Sequence, residues 1–115
     1  MRIHNFSADG GRSVHAFGSD FTQVLLATAG EGAMASAMFL EPGGLIGRHE
    51  ATTGQLLCVV AGAGFVSGSD GVEVAIEPLQ AAFWEAGELH ETRTDTGMAA
   101  IAIEGVDIRA HAPRN

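Results

Sequence analysis

The chain has 115 residues and a formal net charge of −8, with 14 Asp and Glu against 6 basic residues, all of them Arg. No basic cluster offers the electrostatic footprint of a nucleic-acid binder. The longest apolar run, residues 56–61, is far shorter than the roughly 18–20 residues that span a bilayer. One domain accommodates this length, 46% hydrophobic content supplies a core, and the lone Cys58 cannot close an intramolecular disulfide.

Residues 1–20 are polar and glycine-containing and are predicted as an N-terminal arm, ordered where it docks, for instance on the sheet edge of a partner subunit. His4 and His15 lie in it and read as solvent-facing. No secretory leader is recognisable behind Met1, so a cytoplasmic location is expected. Residues 21–28 read as a strand, 29–32 as a tight turn and 33–40 as the hairpin partner. Ala and Met also suit a helix, but eight residues between glycine turns, without a capping pattern, favour a strand. Its face of Ala33, Ala35 and Ala37 is expected to look inward and leave room for a ligand.

A Pro-Gly-Gly turn at 42–44 introduces a short strand bearing His49. Residues 55–60 are long and β-branched enough for a buried strand, and Cys58 within it reads as core. Asp70-Gly71 between alternating runs marks a hairpin of 64–67 with 72–76. Short strands follow at 81–84, 89–94 and 98–104. Regularly spaced turn signals without a convincing helix argue for an all-β sandwich or closed barrel over residues 21–110, with 111–115 as a tail.

Alternation places residues two apart on one face of a strand. His49 and Ala51 share a face, as do Gln55, Leu57 and Val59, and His90, Thr92 and Thr94. If all three faces are inward, His49, Gln55 and His90 converge. Arg48 should face outward and form a salt bridge. Of the nearby carboxylates, Glu50 and Glu91 face away from the histidines by parity, leaving Glu88 and Glu104 as candidates to join them.

Residues 43–62 and 79–94 resemble the two motifs of the cupin superfamily. Gly43, five residues, His49, one residue, Ala51, three residues, Gln55, six residues and Gly62 follow the first motif, in which His would stand at Ala51 and Glu at Gln55. Gly87, two residues and His90 follow the second, with Leu79, Glu85 and Thr94 where Gly, Pro and Asn would stand. The resemblance implies a double-stranded β-helix (jelly-roll) cupin barrel of the small, single-domain, RmlC-like bacterial kind, commonly a homodimer, with a partly degenerate metal motif. It leaves two outcomes open: a weakened site for iron, manganese, nickel or zinc held by His49, His90 and Gln55, or a metal-free pocket. The expected pocket comprises His49, Ala51, Gln55, Leu57, Trp84 and His90 and takes a small-molecule ligand. No catalytic residue is identified. The competing functions are a small-molecule binding module, a metal-dependent oxygenase or isomerase acting on a small organic acid or carbohydrate, and a dimeric interaction module. Nucleic acid and membrane are not expected partners.

Overall fold

The computed structural model describes residues 1–111, so most of the expected 111–115 tail lies outside the described residues. Ten strands are formed: β1 (Arg12–Val14), β2 (Phe21–Ala29), β3 (Ala33–Leu40), β4 (Leu45–Glu50), β5 (Gly54–Gly62), β6 (Gly64–Ser67), β7 (Val74–Ile76), β8 (Ala81–Trp84), β9 (Leu89–Arg93) and β10 (Met98–Gly105). Three short 3-10 turns are the only helical pieces among the described residues, and no helix there is long and apolar enough to cross a membrane.

Two antiparallel sheets face each other. One has the order β1-β2-β3-β10-β5-β8 and the other β4-β9-β6-β7. The inner face of the first carries Met38 and Leu40 on β3, Met98, Ala100 and Ala102 on β10, and Leu57 and Val59 on β5; these form the core with Ile46, Val66 and Trp84. Leu57 and Val59 are each 1% exposed, and each contributes about 2 kcal/mol by leaving water. The pairing of Ser36 with Ala102 and Met38 with Ala100 puts Ala35 and Ala37 on the opposite side of β3. The expected alanine lining is therefore on the outer face, and the small residues of the interior are Ala51, Ala100 and Ala102.

The sheets are joined along one side. Asp20 pairs with Leu45 through reciprocal backbone bonds of 2.7 and 3.1 Å, which ties the chain before β2 to β4. Residues 12–20 belong to the body: β1 pairs with β2, and residues 16–18 cross β4. Residues 1–6 form neither strand nor helix and are exposed. On the other side the edge strands β8 and β7 do not pair, and a groove lies between them.

Candidate functional site

The position of His49 depends on a bulge. Ile46 lies opposite Thr92, and His49 opposite His90, so β4 advances three residues while β9 advances two. Ile46 is buried and points inward. Simple alternation would turn His49 outward, since the two are an odd number of positions apart. The extra residue at Gly47–Arg48 returns it to the interior.

Gly47 is the residue on which neighbouring parts converge. A Cβ there would fall on the Phe17 carbonyl. Its N–H donates to the Ser19 hydroxyl oxygen (2.7 Å), and its carbonyl accepts from His49 Nδ1 (2.6 Å). A carbonyl only accepts, so Nδ1 carries the hydrogen, and Nε2 is the nitrogen left to accept whenever the ring is uncharged. Phe17 occupies the left-handed region (φ 58°, ψ 31°), which is costly without glycine. Its ring lies flat on His49, with centroids 4.5 Å apart and planes 5° apart.

Two further contacts complete a row of four rings. His49 and His90 are 4.3 Å apart at 56°, and His90 and Trp84 are 4.9 Å apart at 41°. The row runs from Phe17, which is 66% exposed, to buried Trp84 on the opposite sheet. The Trp84 indole N–H donates to the Ser67 carbonyl at 3.1 Å, bridging β8 to β6. His90 is 2% exposed, and its Nε2 is buried without a hydrogen-bond partner. Burial, reinforced by the neighbouring His49, pushes the His90 pKa down to about 4, so the ring is neutral near pH 7.

The remaining expected pocket residues are all buried. Ala51 and Leu57 are buried in the core. Gln55 is buried and lies in register between Trp84 on β8 and Glu104 on β10. Of the six, Trp84 also borders a sizeable cavity, a groove of about 400 Å³; a second cavity of about 490 Å³ is lined by other residues, including Phe65, Ile76 and Asp95. Arg48 is exposed as expected, but in place of a salt bridge it donates to the carbonyls of Gly68 (3.2 Å) and Ser69 (3.1 Å). Cys58 is half-buried, and burial raises its thiol pKa.

The donor set does not fit a resident divalent ion of the expected kind. Two imidazoles stand together, but Ala51 offers no donor and Gln55 offers an uncharged amide. Among the described residues no three His, Cys, Asp or Glu side chains are grouped to hold an ion, so neither Glu88 nor Glu104 supplies the missing carboxylate.

The motif positions have a backbone meaning. Gly43, Gly62 and Gly87 have φ of 83°, 74° and 88°, and Leu79, where the second motif would begin with Gly, has φ 72°. Thr94, in place of Asn, accepts from the Gly97 N–H (2.9 Å) and donates to the Ala63 carbonyl (2.6 Å), holding the turn into β10. Sequence reasoning missed Phe17, Ser19 and the bulge; Gly47 immediately before Arg48-His49 was the available signal.

No family model matches the chain, and no curated protein does. Solved structures do. A Cupin 2 conserved barrel domain protein from Salinispora arenicola is 14% identical with a TM-score of 0.75, covering 93% of this chain and 90% of that one. An RmlC-like cupin from Shewanella frigidimarina is 20% identical with a TM-score of 0.71, covering 90% and 91%. A predicted oxalate decarboxylase from Thermotoga maritima is 16% identical with a TM-score of 0.73, covering 90% and 99%. With two apposed antiparallel sheets and motif glycines at the left-handed turns, this chain folds as a small cupin barrel.

Proposed function

We propose that the protein binds a small molecule at the His49–His90 pair inside the barrel, without a resident divalent metal. The observation that carries this reading is His90 Nε2, buried and unpartnered beside an imidazole whose own Nε2 is left to accept whenever that ring is uncharged. An unsatisfied buried polar atom costs about 1–3 kcal/mol, and a ligand that pairs with it recovers that cost. The surroundings (Ala51, Leu57 and Trp84) are apolar, which suits a compact molecule with one or two polar groups.

A thermal-shift screen of small carboxylic acids, alcohols and amides, run on the wild type and on His49→Ala and His90→Leu, tests the reading. Stabilisation of the wild type that is lost in both variants is the expected result. Absence of any stabilising compound would overturn it. Stoichiometric retention of iron, manganese, nickel or zinc, abolished by His49→Ala and His90→Ala, would return the site to the metal-dependent enzyme reading.

A second reading concerns assembly. Leu25 and Val60 are exposed, and so are Met1 and Ile3. A homodimer would cover some of these exposed apolar side chains. Light scattering at micromolar concentration is expected to give twice the monomer mass, and a monomer would remove this reading.

A further inference from the structure

We infer that the groove between the unpaired edges of β7 and β8 is a second binding site, distinct from the histidine pair, for a small organic cation with an apolar body. The groove has about 400 Å³ of space, within the range of small-molecule sites. Its walls are apolar: Phe83 and Trp84 from β8, Val74 from β7, and Val72 from the turn before it. Val72 and Val74 are 61% and 59% exposed, so the rim presents branched apolar surface to water.

The charged residues that line it are of one sign. Asp70 and Glu88 line the same groove. The Glu88 carboxylate overhangs Gly68, where a Cβ would lie 3.6 Å from Oε2. Asp70 accepts the Val72 N–H at 2.9 Å, which fixes the turn. Arg48 donates to the carbonyls of Gly68 and Ser69, which line the groove, so one guanidinium stands at its rim against two carboxylates and the balance is negative. Among the described residues the ion pairs are those of Arg93 with Glu73 and Asp95, so neither Asp70 nor Glu88 is in one. Two carboxylates against one guanidinium, beside apolar walls in a chain of charge −8, complement an ammonium group carried on an apolar skeleton. An anion would meet repulsion, and a neutral apolar molecule would leave the carboxylates unused.

Trp84 is the only tryptophan, and the chain has no tyrosine, so protein emission reports on Trp84, which borders both the groove and His90; each titration is therefore run on His49→Ala as well as on the wild type. Titrations with 2-phenylethylammonium, 2-phenylethanol and 3-phenylpropanoate, at low and high salt, test the inference. The expected result is a saturable change in Trp84 emission with the ammonium, at least about tenfold tighter than with the alcohol, and no binding of the carboxylate. Glu88→Gln should weaken ammonium binding by about tenfold, and Asp70→Asn should weaken it in the same direction. Both positions are at the surface, and circular dichroism checks that the variants fold. His49→Ala, which does not touch the groove, should leave ammonium binding intact. That separates this site from the histidine pair. Equal affinity for ammonium and alcohol, preference for the carboxylate, or no saturation at millimolar concentration would each overturn the proposal.

Discussion

Trp84 holds its ring 4.9 Å from the imidazole of His90 while its own N–H is committed to the Ser67 carbonyl. The indole is thereby fixed against a buried, neutral histidine and senses the charge of that ring.

Acid titration should show this. An unfolded histidine titrates near 6.5, and His90 in the folded chain near 4. Between these values the unfolded state binds more protons, so falling pH favours unfolding. The stability contributed by neutral His90 is fully present above about pH 6.5, is lost as pH falls towards 4, and is constant below. The whole effect is at most about 3 kcal/mol. Urea unfolding between pH 4 and 7 measures it, and His90→Leu is expected to flatten the slope. An equal slope in both proteins would count against a buried neutral His90.

Gly47→Ala should be among the most damaging single changes. The new methyl would meet the Phe17 carbonyl, so residues 16–18 must lift and the ring must leave His49. A loss of about 3 kcal/mol or more is expected from such overpacking. Chemical denaturation gives the stability, and the His49 ring resonances in NMR report whether the aromatic cover is gone.

Leu79→Gly should act in the opposite direction. Leu79 is 97% exposed and lies in a backbone region that costs a residue with a Cβ about 1–2 kcal/mol. Glycine removes that strain but adds freedom to the unfolded chain. A net gain of up to about 1 kcal/mol, seen as a rise of a few degrees in Tm, is expected.

Gln55→Glu tests why the metal donor set is incomplete. The exchange is close to isosteric and places a carboxylate on the inner face of β5. Without metal the buried charge is destabilising. With zinc or nickel, the variant is expected to gain thermal stability in proportion to the logarithm of metal concentration, while the wild type does not. No difference between the two proteins would show that β5 cannot bring a carboxylate to the histidines.

Most of the strand order was legible because turn chemistry punctuates it. Gly-Glu-Gly between 29 and 33, Asp70-Gly71, and Asp95-Thr-Gly97 each bound a strand at nearly the expected residue. The convergence of His49 and His90 was legible from motif spacing, and strand pairing places them opposite each other. Three features were not legible. Alternation on β3 has two solutions, and the register against β10 chooses the one with Met38 and Ser36 inside. The bulge at Gly47–Arg48 is a two-strand property that no single-strand pattern reveals. The stacking of Phe17 on His49 depends on a chain crossing set by the Asp20–Leu45 pair, far from either ring in local pattern.

The row of four rings also restricts what can be recognised. Neither imidazole can turn over without displacing an aromatic plate, and His49 is further held by the carbonyl of Gly47. The two unpartnered Nε2 atoms therefore keep their directions. A molecule that matches them costs the host little orientational freedom, whereas one needing a hydrogen on His49 Nε2 of the neutral ring must give up the Nδ1–H bond to the Gly47 carbonyl. Under the proposed binding at the histidine pair, such rigidity favours discrimination over adaptability.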